Sequence, residues 1–370
     1  MFAGKYLHYG RGVLGLACLS CLVSLAAADA DYVIHVSIDG LGSSYLQALD
    51  NANQVPNIRR LMTQGASTLN ARTDYDVTVT LPSHVTMITG RGVQGVTGHN
   101  WTSNSDPAPG QTIHSNKGSY VSSVLDVAHD NSLQTGLYAG KSKFSLFDSS
   151  YDATNGAPDA TPPDDGQDKL DTYEWTYGDS APLVASLLGT MSTNPHDYSF
   201  VHFAEPDAAG HTYGWGSAGY NNAVIAIDGY LGDILGLVES DPMLQGRTAI
   251  ILTADHGGSG TGHSNATDPL VYTLPFMAWG PGVTPGADLY ALNSGTRLDP
   301  LTGRPDYMAP IQPIRNGDGA NLALEILGLN AIPGSTINNM QDLVVPEPVS
   351  LSLLCLGTVA LLRRRTAKRT

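Results

Sequence analysis

The chain has 370 residues, of which 42% are hydrophobic and 14% charged, with 41 glycines and 22 prolines. This balance excludes a disordered chain and predicts one large domain or two small ones, with many turns and surface loops. The formal net charge is −15, and without residues 1–30 (+1) and 344–370 (+4) the body carries −20, which disfavours binding of a nucleic-acid duplex.

Residues 1–30 have the pattern of a secretory signal. Lys5 and Arg11 precede the apolar run "GVLGLACLSCLVSLAAADA". The small residues at its end predict cleavage after Ala30. The protein is therefore expected to be exported, with residues 31–343 as its functional domain.

All three cysteines, Cys18, Cys21 and Cys355, lie in the two end segments. The body therefore has no cysteine for a disulfide or a thiolate–metal bond. A metal site in the body must use histidine and carboxylate ligands.

Short β-rich runs alternate with helical patterns along the body. Strands are predicted at "YVIHVSI", "YSFVHFA" and "TAIILTA", and helices at "PNIRRLMTQ" and "NNAVIAIDGYLGDILGLVES". This alternation predicts a mainly parallel sheet with helices on both faces. The second helix, from Asn221, has an apolar face at helical spacing, formed by Val224, Ile227, Leu231, Ile234, Leu235 and Val238.

Two loop-rich segments, around residues 102–118 and 150–170, interrupt the alternation. The second, "SYDATNGAPDATPPDDGQDKL", is rich in Asp and Pro and is interpreted as a surface excursion. A calcium site in this loop is an open alternative.

Three of the predicted strands end in carboxylates and imidazoles. Ligand sites of open α/β sheets lie at the carboxyl ends of the strands, so these side chains are expected to converge. Three carboxylates and three imidazoles suit two zinc ions. The glycines of "HGGSGTGH" are expected to let the chain turn so that the last histidine reaches a metal. The six candidate ligands are Asp39, Asp207, His211, Asp255, His256 and His263.

The segments "VSIDG", "TLPSHVTMITG", "EPDAAGH" and "TADHGGSGTGH", in this order, resemble the alkaline phosphatase superfamily, most closely its type I phosphodiesterase/nucleotide pyrophosphatase group. The resemblance covers most of the body, because "PFMAWGPGV" and "ANLALEILGLNAIPGS" look like the closing segments of that group. It implies an alkaline-phosphatase-like three-layer α/β/α sandwich with a mostly parallel central sheet, and two Zn2+ ions as cofactors. It assigns the six ligands to the two ions: Asp39, Asp255 and His256 to the ion beside the nucleophile, and Asp207, His211 and His263 to the other.

One departure from the resemblance concerns the last ligand. In nucleotide pyrophosphatases the last zinc histidine lies far downstream, whereas no histidine follows His263 in this chain. His263 must therefore complete the second site.

The stretch "DVTVTLPSHVTMITG" places Thr80 at the family's nucleophile position and implies a phosphothreonine intermediate. A short helix is predicted to begin near Pro82 or Ser83, and a hydroxyl at a helix N-terminus beside zinc becomes more acidic. Without the metal ligands, Thr80 reads as an ordinary β-branched strand or capping residue. Sulfatase activity is disfavoured, because His84 stands where the sulfatase pattern has arginine.

Three further residues are predicted to bind substrate. Asn100 falls where the family has an asparagine that donates to a phosphoryl oxygen, and its alternative role is a turn residue. Lys141 and Lys143 form a K-x-K pattern that is predicted to lie at a strand end, where residues i and i+2 share a face. The pattern resembles the basic pair of monoesterase and phosphonoacetate hydrolase branches, and its alternative is a solvated pair on an edge strand.

Residues 344–370 resemble the PEP-CTERM sorting signal, which would be recognised by exosortase-like machinery. They contain Pro346-Glu347-Pro348, a short apolar run at 349–362 predicted as a transmembrane helix, and an arginine-rich tail. An ordinary tail anchor is the alternative. The protein is expected in the cell envelope, at the surface or in the extracellular matrix, with membrane contact only through its terminal segments.

The sequence thus predicts a secreted zinc-dependent phosphohydrolase acting on a small phosphate ester. Monoesters are favoured, because a dianionic phosphate needs more positive charge than a diester and the two lysines would supply it. The alternatives are a phosphodiesterase or nucleotide pyrophosphatase, a phosphonate hydrolase, and an enzyme that transfers a phosphoryl head group to a lipid or glycan. A non-catalytic surface or matrix protein is the alternative from another class.

Overall fold

The computed structural model describes residues 30–159 and 166–345. Nearly all of the predicted secretory and sorting segments, and part of the 150–170 loop with its calcium alternative, lie outside these ranges. Within them, every helix is too short or too polar to cross a bilayer.

Eight strands form one sheet in the described ranges. Their bounds are β1 (Tyr32–Ile38), β2 (Ala66–Arg72), β3 (Thr135–Ala139), β4 (Thr172–Trp175), β5 (Tyr198–Phe203), β6 (Thr248–Thr253), β7 (Thr273–Trp279) and β8 (Ala287–Asp288). The order across the sheet is β4-β3-β5-β1-β6-β7-β2-β8. The five strands from β4 to β6 in this order are parallel, and β7 is antiparallel to both of its neighbours. The prediction of a mostly parallel sheet is confirmed.

Two groups of helices pack on the sheet and complete the three-layer α/β/α sandwich. The helices are α1 (Ser43–Asn51), α2 (Pro56–Gln64), α3 (Thr80–Thr89), α4 (Ile113–Lys117), α5 (Val124–His129), α6 (Ser145–Ser150), α7 (Ala181–Met191), α8 (Glu205–Tyr213), α9 (Ala218–Ser240), α10 (Pro269–Tyr272), α11 (Leu289–Leu292) and α12 (Asp318–Ile326). A 3-10 turn spans Ser142–Phe144. Helices α2, α7 and α8 contact α9, whereas α3 and α5 contact α12.

The long helix α9 shows how the apolar pattern sets the packing. All six apolar residues predicted for its inner face are buried. The helix begins at Ala218, three residues before the predicted start, because the side chain of Ser217 accepts a hydrogen bond from the main-chain N–H of Tyr220. The predicted helix face is confirmed.

Helix α3 starts earlier than predicted. It begins at Thr80 rather than near Pro82 or Ser83, and all of its residues are buried. Proline is tolerated in the first turn of a helix, where its missing N–H has no intrahelical partner. The main-chain N–H of Leu81, also unpaired within the helix, donates to Asn104 Oδ1 at 2.9 Å. Thr80 is therefore the first helical residue.

Candidate active site

The carboxyl ends of three adjacent parallel strands bring the predicted ligands together. Strand β1 lies between β5 and β6, with Ile38 paired to Phe203 and Ser37 paired to Thr253. Asp39, Asp255 and His256 follow the ends of β1 and β6 directly. Asp207 and His211 lie on α8, which follows β5, and His263 lies in the loop after β6. The topology therefore gathers the six ligands at one edge of the sheet.

The first predicted group is fully buried. Asp39, Asp255 and His256 have no exposed surface. His256 Nε2 lies 3.2 Å from Asp255 Oδ2 and 3.6 Å from Asp39 Oδ1. Their ligand atoms lie within 4.8 Å of one another, which is close enough for one ion.

The second predicted group adjoins the first. His263 Nε2 lies 3.2 Å from His211 Nε2 and 3.6 Å from Asp207 Oδ1, and His211 Nε2 lies 3.4 Å from the same oxygen. The ring of His256 stacks on that of His263, with centroids 3.6 Å apart. The structure therefore brings His263 to Asp207 and His211, and joins the two groups through His256.

The carboxylates of both groups fit a cation. In each of the three carboxylates, one oxygen accepts hydrogen bonds from the protein, while the other is buried without a hydrogen-bond partner. The unpartnered oxygens are Asp39 Oδ1, Asp207 Oδ1 and Asp255 Oδ2. A buried polar atom without a partner is costly, and three that converge at one place suit the coordination of a metal ion.

The imidazoles fit the same role. Each ring directs Nε2 into the site and donates Nδ1–H to a main-chain carbonyl: His256 to Gly257 at 2.8 Å, His263 to Thr78 at 2.8 Å and His211 to Thr261 at 2.9 Å. Such a hydrogen bond fixes the tautomer and leaves the other nitrogen free to bind a metal. The described residues thus suit zinc, which accepts imidazole and carboxylate ligands.

Burial and charge set the protonation of the site. Burial lowers the pKa of His256, with a further contribution from His263, and burial also lowers the pKa of His263. Burial and the nearby charge of Asp39 raise the pKa of Asp255 well above its usual range. Burial would also raise the pKa of Asp39, but Lys141 and His202 outweigh it and hold that pKa well below its usual range. The two imidazoles are therefore neutral near pH 7, the form that binds metals.

Lys141 reaches both groups. Its ammonium donates to Asp39 Oδ2 at 2.6 Å and to Asp207 Oδ2 at 2.7 Å, and it lies 3.4 Å from Thr80 Oγ1. Burial would lower the pKa of Lys141, but the two carboxylates raise it above its usual value. The charged ammonium therefore stands beside the predicted nucleophile.

The K-x-K pattern predicted that the two lysines share one face at a strand end. The structure does not place them there. Strand β3 ends at Ala139, and Lys141 precedes the 3-10 turn. Lys143 lies within that turn, so the two lysines are not on one extended strand. Lys143 Nζ donates to the carbonyl oxygen of Asn104 at 2.6 Å and lies 3.2 Å from its Oδ1. Lys143 therefore reaches the site through Asn104, whereas Lys141 reaches it directly.

Asn100 bonds residues outside the two predicted metal groups. It is exposed and has a positive φ of 61°. Its amide, oriented to satisfy both neighbours, donates to the carbonyl oxygen of Gly95 at 2.9 Å and accepts from Lys117 at 3.2 Å. The structure thus gives Asn100 the turn role that was its alternative.

Asn104, four residues later, is the residue that sequence reasoning missed. Its Oδ1 accepts from the N–H that follows Thr80, so its amide lies at the start of α3. Both asparagines lie in one loop-rich stretch, "HNWTSNSD", and no feature of that stretch distinguishes them.

The glycines between His256 and His263 allow the chain to reverse direction and also allow its backbone to pack closely against a side chain. Ser259 and Gly262 exchange main-chain hydrogen bonds of 2.8 and 3.1 Å, and Gly260 has a φ of 60° in the turn between them. A Cβ at Gly258 would overlap the ring of Trp215. The glycines therefore form a tight hairpin against an aromatic ring and place His263 at the site.

We expect Gly258→Ala to destabilise the protein by about 1–3 kcal/mol, the usual cost of forcing an extra methyl group into a packed contact. Thermal unfolding of the purified protein measures this loss. Gly262→Ala is the matched control, because a Cβ there meets nothing within 4 Å. Equal melting temperatures for the two variants would contradict the packing role of Gly258.

Two adjoining carboxylate–imidazole groups beside a threonine hydroxyl, at the carboxyl edge of such a sheet, are typical of metal-dependent enzymes that act on phosphoric esters. The model of the family described as type I phosphodiesterase / nucleotide pyrophosphatase matches residues 33–287. The chain belongs to this family.

Two curated relatives show how far the similarity extends. Ectonucleotide pyrophosphatase/phosphodiesterase family member 3 of Mus musculus is 28% identical over 244 residues, which are 62% of this chain and 25% of that protein. GPI ethanolamine phosphate transferase 1 of Mus musculus is 29% identical over 151 residues, which are 39% of this chain and 15% of that protein. The chain thus matches a quarter or less of the length of these relatives.

Solved structures share the fold. Murine ectonucleotide pyrophosphatase/phosphodiesterase 5, in an inactive form in complex with AMP, superposes with a TM-score of 0.57 at 14% identity, covering 85% of this chain and 100% of that one. The human protein of the same name gives a TM-score of 0.56 at 14% identity, covering 85% of this chain and 99% of that one. The predicted alkaline-phosphatase-like fold is confirmed.

Proposed function

We propose that the protein is an exported, zinc-dependent phosphodiesterase that cleaves small phosphoric diesters, with nucleotides among the candidate substrates. The observation that carries the proposal is the position of Thr80, at the first residue of α3 with its hydroxyl 3.4 Å from the Lys141 ammonium. That ammonium in turn bonds Asp39 and Asp207, one carboxylate from each candidate metal group. Family membership supports the same activity.

The structure weakens the argument for monoesters. That preference depended on two lysines acting on one phosphate. Lys143 bonds Asn104 instead, so a single ammonium lies beside Thr80. A diester carries one negative charge near neutral pH, which one ammonium complements. The diester alternative is therefore the one we propose.

In the proposed reaction the hydroxyl oxygen of Thr80 attacks phosphorus. A bond forms between that oxygen and phosphorus as the bond to the leaving oxygen breaks; the hydroxyl gives its proton to solvent, the leaving alcohol takes one from solvent, and the phosphothreonine keeps the other ester group. Water then attacks phosphorus and loses a proton to solvent, the bond to Thr80 breaks as its oxygen regains a proton, and a phosphate monoester is released. When bound at Asp39, Asp255 and His256 and at Asp207, His211 and His263, two zinc ions would stabilise negative charge on the attacking and leaving oxygens.

The surrounding residues orient the phosphoryl group. The Lys141 ammonium remains charged, because its pKa is raised, and offers a charge-assisted hydrogen bond to a phosphoryl oxygen. Asn104 uses Oδ1 for Leu81 and Lys143, so its NH2 group is the part that we propose donates to phosphate. Asn104 thus takes the role that the sequence suggested for Asn100.

A second candidate function is transfer to an alcohol rather than to water. The similarity to a GPI ethanolamine phosphate transferase favours it, because such a protein's name describes a phosphoryl head group passed to an acceptor. The same phosphothreonine would serve both outcomes. Product analysis in the presence of an acceptor alcohol separates hydrolysis from transfer.

The terminal segments set the proposed location. We propose that residues 1–30 direct export, that residues 31–343 form the phosphohydrolase domain, and that residues 344–370 are the PEP-CTERM segment recognised by exosortase-like machinery. The intact mass of the protein recovered from its producing cell reports both cleavages. A mass equal to that of the whole chain would contradict them.

We expect bis(p-nitrophenyl) phosphate to be hydrolysed with a kcat/KM at least about tenfold above that of p-nitrophenyl phosphate, a difference of about 1.4 kcal/mol in transition-state stabilisation. The panel also includes a nucleotide and phosphonoacetate, each assayed with zinc and after chelation. An equal or higher value for the monoester would restore the monoesterase function. No zinc-dependent turnover of any substrate would favour the non-catalytic surface protein.

The two lysines provide the matched variants for this panel. Lys141→Ala should lower kcat/KM for the diester by about 10- to 100-fold, because a hydrogen bond to a charged group contributes about 1.5–3 kcal/mol. Lys143→Ala should cost less, because its ammonium bonds Asn104 rather than lying beside Thr80. Equal losses for the two variants would contradict these separate roles.

A further inference from the structure

The side chain of His202 supports a candidate metal ligand from inside the sheet. His202 lies on β5, is fully buried, and is not one of the six predicted ligands. Its Nε2 lies 3.0 Å from Asp39 Oδ2. Asp39 follows β1, the strand that pairs with β5. The contact therefore joins two neighbouring strands at the edge that carries the site.

The tautomer of His202 follows from its carboxylate partner. The ionised carboxylate of Asp39 can only accept a hydrogen bond, so Nε2 of His202 carries the proton and Nδ1 is left as an acceptor. His202 therefore donates Nε2–H to Asp39. The N–H of Gly140 lies 3.1 Å from both His202 Nδ1 and the His202 carbonyl oxygen, and is shared between them.

Glycine at position 140 allows this contact. A Cβ there would lie 2.8 Å from Ala204 Cβ and 3.0 Å from the Ala204 nitrogen, which is closer than packed atoms approach. The end of β3 can therefore come near β5, and its N–H reaches the ring of His202. Strand β5, which pairs with β1, and the end of β3, on the far side of β5, thus both take part in orienting one carboxylate.

The hydrogen bonds of the Asp39 carboxylate all fall on one oxygen, so the other has no hydrogen-bond partner. Oδ2 accepts from both His202 and Lys141, whereas Oδ1 has no partner and lies 3.6 Å from His256 Nε2. Lys141 also bonds Asp207 and would contact the substrate. Of the six predicted ligands, Asp39 is the one that His202 contacts. His202 is therefore the donor dedicated to Asp39.

We propose that His202 is a positioning residue that holds the Asp39 carboxylate so that Oδ1 faces the metal bound by Asp39, Asp255 and His256. The proposal rests on the proposed function, since it requires that group to hold an ion. The contact resembles the partners around known metal sites, where a second residue orients a ligand and its loss weakens metal binding by about 10- to 100-fold.

The test compares zinc affinity among variants that differ at His202. His202→Phe keeps a buried ring but has no donor, His202→Leu is a second variant without a donor, and His202→Gln keeps an N–H near the place of Nε2. Zinc dissociation constants are measured by competition with a chelator, and zinc content by elemental analysis. We expect the ion bound by Asp39, Asp255 and His256 to bind about 10- to 100-fold more weakly in the Phe and Leu variants. In His202→Gln its zinc affinity should be at least partly restored.

The ion bound by Asp207, His211 and His263 serves as an internal control, because these three residues make no direct hydrogen bond to His202 in the described ranges. His35→Leu is the matched external control. His35 is fully buried on β1, bonds Tyr198 Oη at 3.0 Å, and contacts none of the predicted ligands. Thermal unfolding shows whether each variant folds, and His35→Leu should lose stability without losing zinc affinity.

Two outcomes would overturn the positioning role. One is wild-type affinity for both ions in a folded His202→Phe or His202→Leu protein. The other is equal zinc loss in His202→Gln and the variants without a donor, which would indicate disturbed packing. Failure of the proposed function is distinguishable. A wild-type protein that binds no zinc would remove the metal site on which the proposal rests, whereas a protein that binds zinc but prefers another ester would leave the comparison of zinc affinities intact.

Discussion

Thr80→Ala should lower kcat/KM for a diester at least about 10³-fold while both zinc ions remain bound, because removal of a covalent nucleophile eliminates the step that its oxygen performs. The fold should tolerate the change. Thr80 is the first residue of α3, and alanine is the best helix former. Steady-state kinetics and elemental zinc analysis on the same preparation measure both quantities.

Thr89→Ala is the control for Thr80→Ala. Thr89 is buried in the same helix, and its hydroxyl donates to the carbonyl oxygen of Val85 at 2.7 Å, far along the helix from the site. Its loss should affect stability rather than turnover. Thr80→Ser should retain part of the activity and should carry the phosphoryl group when the reaction is quenched. Turnover at the wild-type rate in Thr80→Ala would rule out the covalent mechanism.

The central sheet and the convergence of the ligands were predictable because both follow from local patterns. Apolar runs of strand length that alternate with helical periodicity define a parallel sheet, and its topology places the strand ends at one edge. Asp39 and Asp255 needed no further information, since each follows a central strand. The loop to His263 was predictable as a reversal, although its packing on Trp215 depends on a contact between distant segments.

The predicted substrate residues depended on loops, where the sequence gives little information. Lys141 and Lys143 were predicted to lie at a strand end with both side chains on one face, but β3 ends at Ala139 and the chain turns before Lys143. The rule that residues i and i+2 share a face fails once the extended backbone ends. Asn100 and Asn104 are equally suited by residue type, and the choice between them is made by the fold of the loop around Leu81.

His202 shows a different limit. In "YSFVHFA" it reads as a core position of a strand, and the alternation of side chains gives its face but not its partner. Its contact with Asp39, which sets its tautomer, depends on the neighbouring strand, and its Nδ1 lies near the N–H of Gly140, which follows a third strand. Support for a site that comes from inside a sheet is visible only once the strand order is known.

Asp255→Asn and His211→Ala should each remove a different zinc ion and each lower kcat/KM for a diester by about 10³-fold or more. The loss of the several kcal/mol that a bound metal contributes to the transition state corresponds to this factor. Asn at position 255 keeps Oδ1, which accepts from the N–H groups of Gly40 and His256, and replaces the unpartnered Oδ2 with an NH2 group that repels a cation. His211 is 47% exposed in its side chain, so alanine there should leave the core unchanged.

Elemental zinc content and chelator competition measure which ion is lost. Asp228→Asn is the control for removing the charge of a buried carboxylate. Asp228 accepts hydrogen bonds from the N–H groups of Asn57 and Ile58 at the start of α2, away from the six ligands. That variant should lose stability but retain both ions and its turnover. Loss of both ions in each ligand variant would mean that the groups, joined through the stacked rings of His256 and His263, bind metal as one cooperative unit. Unchanged zinc content in both ligand variants would contradict the assignment of these residues as ligands, because the buried, unpartnered Oδ2 of Asp255 would then have another cause.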